Sequence, residues 1–180
     1  MKSSQNGLIE HIKTLLESNE LYLEKIKRKD TAPFQKETFC IAIIINAWSA
    51  LEGYINFIAS IAKFAGELES YEKSLLEEVD WKLNDKGKFE KQIAYHSTTK
   101  KFLFLLTRFS SVNIAEFKKG SLWREVRIAE EKRNHLIHPK ETIEEDGFSF
   151  KTAEATEKTA RLAISLLEKK VLKSKNSILG

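Results

Sequence analysis

The run Phe39-Cys40-Ile41-Ala42-Ile43-Ile44-Ile45-Asn46-Ala47-Trp48-Ser49-Ala50-Leu51-Glu52-Gly53-Tyr54-Ile55-Asn56-Phe57-Ile58-Ala59-Ser60-Ile61-Ala62 decides the fold of this chain. It is long and apolar enough to raise the question of a membrane span, which takes about 20 predominantly apolar residues. Glu52, near its middle, argues against one. A carboxylate at the centre of a bilayer helix costs about 2.5–3.5 kcal/mol on the insertion scale, and Asn46, Ser49, Asn56 and Ser60 add further polar groups. The run therefore reads as the buried central helix of a bundle, with no membrane partner expected. Asn46, Ser49, Glu52, Gly53, Asn56, Ser60 and Lys63 recur at three and four residues and so share one stripe of the helix. That stripe suits a solvated outward face. Its small and polar side chains, flanked by Trp48 and Tyr54, equally suit close helix packing or a lined cleft.

Working outward, Leu8, Ile9, Ile12, Leu15, Leu16, Leu23 and Ile26 predict an amphipathic helix over about 4–28. Asp30-Thr31-Ala32-Pro33 breaks it, and Pro33 opens the central helix, which runs to about Phe64. A partly apolar, acidic helix is expected over about 67–79, then a turn at Asn84-Asp85-Lys86-Gly87 and a short helix over about 88–95. Ser97 is placed to cap a helix carrying Phe102, Leu103, Leu105, Leu106 and Phe109, and Ser121 to cap the next. Asp146-Gly147, between 142–145 and 148–151, predicts a short hairpin. A last helix is expected from Thr152 to about Leu172, with a fraying tail beyond Lys173. The fold class is thus an all-α helical bundle in a single domain over 1–180.

Composition agrees. Only seven Gly and two Pro interrupt a chain rich in Leu, Ile, Lys, Glu and Ala. With 180 residues, 42% hydrophobic and 31% charged, it has the makings of a sizeable core rather than of a disordered segment. A lone Cys40 in an apolar run and the lack of zinc-type Cys/His spacing point to a reducing cytoplasm and no structural metal. The polar start Met1-Lys2-Ser3-Ser4-Gln5-Asn6-Gly7 does not resemble a secretion signal. A net charge of +4 and a pI of about 9.0 are compatible with an acidic partner but fall short of a dedicated nucleic-acid arm.

The segment most able to carry chemistry is Glu130-Glu131-Lys132-Arg133-Asn134-His135-Leu136-Ile137-His138-Pro139-Lys140. Leu122, Val126, Ala129 and Arg133 carry a helical pattern into it, and Pro139 biases His138 out of the α region, so the helix should end there. On an unbroken helix Arg133 and His138 would lie about 140° apart. Ending the helix at His138 frees its imidazole to swing back toward Arg133 and Asn134. The same cations also fit a plain helix C-terminus, where the macrodipole and unpaired carbonyls favour positive charge.

Ala50-Leu51-Glu52-Gly53-Tyr54-Ile55-Asn56 on the long second helix, followed much later by a helix ending Arg133-Asn134-His135-Leu136-Ile137-His138-Pro139, resembles the HEPN superfamily, especially its prokaryotic conflict-system members. The resemblance covers most of the chain in element order and rests on the Arg-Asn-x-x-x-His and Ala-Leu-Glu-x-x-x-Asn stretches. It implies an up-and-down helical bundle that forms a homodimer, places two motifs across a shared cleft and cuts RNA there without a metal or other cofactor. It implies Arg133 and His138 as the catalytic pair, with Asn134, Glu52 and Asn56 in support, and an antitoxin or defence-system partner. Toxins of this family paired with a nucleotidyltransferase antitoxin often carry a Tyr two residues after the motif His; here that position is Lys140, so control through such a Tyr is not implied.

The residue types suit that chemistry. Histidine can take or give a proton near neutrality, and arginine presents a planar fork of donors to phosphate oxygens. Arg127, Lys132 and Lys140 lie close enough in sequence to steer RNA, although each also reads as ordinary surface charge. His11, His96 and His135 fit surface or packing roles. Trp48, Trp81 and Trp123 fit either base stacking or the core. The alternative to an enzyme is a non-catalytic HEPN-like module for dimerisation or for RNA or protein interaction.

Overall fold

In a computed structural model, the residues described are 2–64, 68–138, 148–174, 176, 177 and 179. They form α1 (Lys2–Lys27), α2 (Pro33–Phe64), α3 (Ser70–Glu77), β1 (Val79–Leu83), β2 (Phe89–Ile93), α4 (Thr98–Phe109), α5 (Ile114–Lys119), α6 (Ser121–Ile137) and α7 (Phe150–Lys170). This is the all-α bundle around one long helix, with a two-stranded sheet added.

At 32 residues α2 is about 48 Å long, by 1.5 Å per residue. It is long and apolar enough to cross a membrane by length and composition alone, and half of its most apolar window is buried by the rest of the chain. α1 and α7 cover most of its length, while α6, α4 and α3 meet it over shorter stretches. Ile43, Ile44, Ala47, Ala50, Leu51, Tyr54, Ile55 and Ile58 are essentially inaccessible. From α1, Ile12 and Leu16 pack against them, and from α7 Ala160, Ala163, Ile164 and Leu167. Gly53 marks the close approach of α1, because a Cβ there would stand 3.2 Å from the Ile12 side chain. Asn19 of α1 is fully buried and donates to the Ile43 carbonyl at 3.3 Å, a polar contact inside an apolar seam.

Helix ends follow local chemistry. Ser97 and Ser149 accept from the backbone N–H groups of Lys100 and Thr152 and start α4 and α7. Ser149 therefore moves the start of α7 ahead of Thr152, and Phe150 and Lys151 are helical rather than part of a hairpin. The Asp146-Gly147 turn and 142–145 lie outside the described residues. Ser121 is the first residue of α6, and the capping position belongs to Gly120 with no side-chain bond. α5, a six-residue helix capped by Asn113, was not anticipated from the sequence.

The helix expected over 88–95 is instead strand β2. Val79-Asp80-Trp81-Lys82-Leu83 alternates with period two and pairs antiparallel with Phe89–Ile93, Val79 opposite Ile93 and Leu83 opposite Phe89. Asn84 builds the turn: its Oδ1 accepts from the Lys86 and Lys88 N–H groups, and Gly87 takes φ +70°, a region open to glycine. The tail beyond Lys173 also departs from expectation. Ser177 donates to Glu168 at 3.2 Å and Leu179 packs on the main core, so described tail residues fold back onto the bundle.

The Tyr54 hydroxyl donates to Glu168 Oε1 at 3.2 Å and joins α2 to α7 inside the core. Burial first, then the charge and hydrogen bond of Glu168, push the phenol above its ordinary value. The folded state thus holds the proton more tightly than the unfolded chain, so this contribution is complete below about pH 10 and is lost as pH rises beyond it. Tyr54→Phe is expected to cost about 1–2 kcal/mol near neutral pH. The difference from wild type should shrink in urea titrations taken above the phenol range.

Candidate functional site

The inward face of α6 is set by Val126, Ala129 and Glu130, all buried, and Arg133 follows one turn on. Leu136 continues this face and packs on the cluster around Ile43, Ile44 and Ala153. The helix stops at Ile137, as Pro139 predicts. His138 leaves helical geometry with φ −128° and ψ 67°, and its N–H closes the last turn on the Asn134 carbonyl at 2.8 Å.

Arg133 is held from two sides. Its Nη1 donates to Asn134 Oδ1 at 3.1 Å, and its Nη2 stands 3.9 Å from Glu52 Oε2 on α2. About a quarter of the Arg133 side chain and over a third of that of Glu52 remain accessible. The guanidinium is therefore positioned but has donors to spare for a ligand. The structure brings Arg133, Asn134 and Glu52 together. His138 is exposed at the same helix end, and among the described residues no hydrogen bond joins its imidazole to the other three.

Asn56, one turn beyond Glu52, belongs elsewhere. Its Oδ1 accepts from Lys101 Nζ at 3.3 Å, and that ammonium, almost wholly buried, pairs with Glu78 at 2.7 Å. Glu78 sits at φ 55°, a left-handed conformation that costs a non-glycine residue about 1–2 kcal/mol. Asn56 thus anchors, through Lys101, the joint between α3 and β1. The sequence carried a signal for this: Lys101 precedes Leu105 by four residues and so lies on the apolar face of α4.

The basic candidates are unequal. Arg127 is paired with Glu130 at 3.1 Å, and Glu130 in turn accepts from Thr99, so much of the Arg127 charge is already answered. Lys132 lines an open groove of about 520 Å³ between α6 and α7, with Lys151, Ser149, Thr152 and Thr156. Lys140 lies outside the described residues. Trp48 is buried in the core and Trp123 packs on Phe117, whereas Trp81 is more than half exposed on the hairpin. His11 and His135 are exposed, and His96 is half-buried beside Trp81. Cys40 is buried, and that burial, with Glu37 behind it, pushes the thiol up, so it packs rather than reacts. Among the described residues no three His, Cys, Asp or Glu side chains cluster to hold a metal ion.

No protein-family model, curated protein or solved structure matches the chain.

The two polar clusters on α2 should separate on mutation. Arg133→Ala and Glu52→Ala remove a long, partly exposed pair and are expected to cost under about 1 kcal/mol each. Lys101→Ala removes an almost wholly buried ammonium and the packing of its stem, leaving the partly exposed Glu78 and Asn56 to water, and is expected to cost about 1–3 kcal/mol. Urea denaturation of the three variants checks the ordering.

Proposed function

We propose that this chain is a metal-independent endoribonuclease of the HEPN type, cytoplasmic and dimeric, acting in a toxin or antiphage role with an antitoxin or defence-system partner. The observation that carries this reading is the end of α6, where Arg133 is steadied by Asn134 and Glu52 beside the point at which His138 leaves the helix. The motif resemblance supplies the reaction.

His138 takes the proton of a ribose 2′-OH, and that oxygen attacks the adjacent phosphorus. The 5′ oxygen leaves with the electrons of the broken P–O bond, giving a 2′,3′-cyclic phosphate and a 5′-OH end. Arg133 places its donors on the phosphoryl oxygens as charge accumulates. The leaving oxygen gains its proton from water or from the His138 of a second copy. DNA lacks the attacking hydroxyl and should resist. Lys132 and the hydroxyl-lined groove between α6 and α7 offer contacts to flanking phosphates.

A second reading, a non-catalytic interaction module, is favoured by the solvent-facing apolar side chains of the hairpin. Cleavage of total tRNA and ribosomal RNA with EDTA present separates the two. Wild type is expected to leave cyclic-phosphate ends. His138→Ala and Arg133→Ala should each lower the rate at least about a hundredfold, the scale of losing an acid–base group or an oxyanion donor. Equal absence of cleavage in wild type and variants, all folded, would favour the module.

A further inference from the structure

The β1–β2 hairpin projects apolar side chains that the bundle does not use. Alternation places Val79, Trp81, Leu83, Phe89, Lys91 and Ile93 on one face, and Trp81, Leu83, Phe89 and Ile93 are 58%, 63%, 69% and 73% exposed. The one charge on that face, Lys91, is turned back onto Glu77 of α3 at 3.2 Å. A two-stranded hairpin is marginal by itself, and three or more strands sharing an apolar face are the usual minimum for stability.

The backbone identifies which edge is open. Ala94 N–H donates to the Glu78 carbonyl and Asn84 N–H to the Lys88 carbonyl, both at 2.8 Å. Bonded and non-bonded pairs alternate in an antiparallel ladder, so Glu78, Asp80, Lys82 and Asn84 turn their backbone groups toward β2. Val79, Trp81 and Leu83 turn theirs outward, and no other backbone group among the described residues bonds to them. A groove of about 410 Å³, lined in part by Tyr71, Ser74, Asp80, Trp81 and His96, lies between α3 and β1.

We infer that β1 is a self-association edge, pairing antiparallel with β1 of a second copy about a two-fold axis at Trp81 to give a four-stranded sheet. The strand is self-complementary in that register. Trp81 meets Trp81 of the other copy as a bonded pair, which uses the outward backbone groups. Val79 meets Leu83 twice, also in bonded pairs, and Asp80 meets Lys82 twice in the non-bonded pairs, where side chains approach most closely. A foreign strand has no such built-in match. The β2 edge is unsuited, because the same operation sets Lys91 against Lys91, whereas on β1 it sets each charge against its opposite.

This inference is independent of the Arg133–His138 reading, since any association through α6 is shared by all the variants below. Sedimentation velocity over a concentration series tests it. Asp80→Lys and Lys82→Asp each set like charges opposite and are expected to weaken one step of association about tenfold or more, while the double exchange Asp80→Lys/Lys82→Asp restores it. Wild-type behaviour in either single variant, or no recovery in the double, overturns the proposal. A second measurement does not depend on those charges. Oxidation of Trp81→Cys should give a covalent dimer, because Cα atoms of a bonded pair stand about 5.5 Å apart, within disulfide reach. Oxidation of Lys91→Cys should not. A covalent dimer from Lys91→Cys, or none from Trp81→Cys, also overturns it.

Discussion

The structure depends on covering α2. A helix apolar around most of its circumference cannot rest on one neighbour, since each side left in water forfeits about 25 cal/mol for every Å² of apolar surface. Five helices accordingly share it, α1 and α7 along its length and α6, α4 and α3 over shorter stretches. The polar groups of α2 then fall where those neighbours meet. Within just over one turn, Glu52 reaches toward Arg133 of α6, Gly53 admits Ile12 of α1, Tyr54 bonds Glu168 of α7, and Asn56 accepts from Lys101 of α4. One segment of α2 therefore contacts four of the five helices around it.

This changes the meaning of the polar stripe. It is neither a plain solvated face nor a single cleft. Gly53 serves close packing, Glu52 faces the end of α6, and Asn56 supports the α3–β1 joint through a buried lysine. The strained left-handed geometry of Glu78 lies in that joint, and its carboxylate holds the Lys101 ammonium. The hairpin is thus fixed at its base to the same helix that faces the Arg133 site.

The long helices were legible because their apolar spacing reports burial directly. Pro33, Ser97 and Pro139 mark boundaries through their own backbone or capping chemistry, and these hold. The hairpin is where local pattern and structure part. Phe89-Glu90-Lys91-Gln92-Ile93 carries apolar residues only at its ends, a pattern that a short helix also fits, whereas the strict alternation of Val79–Leu83 and the Asn84–Gly87 turn were the informative signals. For the site, α6 brings Arg133 to within 3.9 Å of Glu52 on α2, a contact made by tertiary packing. The fate of Asn56 was not legible: it is displaced only about 40° from Glu52 around α2, by helical geometry, and which neighbour fills that angle is fixed by tertiary packing.

The end of α6 differs from the rest of the fold in what its polar residues do for stability. Tyr54, Lys101, Glu130 and Glu168 are buried, and each has a partner whose loss would leave a polar group stranded. Arg133, Asn134 and His138 instead lie at an accessible helix terminus, joined by one hydrogen bond and a backbone closure, with one long ion pair from Arg133 to Glu52. A helix end gains only about 0.3–1 kcal/mol from any nearby cation, and Lys serves that purpose as well as Arg. Dipole compensation therefore accounts for positive charge at this end of α6, but not for a planar, bidentate donor steadied by a neighbouring amide and a carboxylate from another helix. What that arrangement provides beyond stability is a partly exposed guanidinium, loosely held by Asn134 and Glu52, with donors to spare.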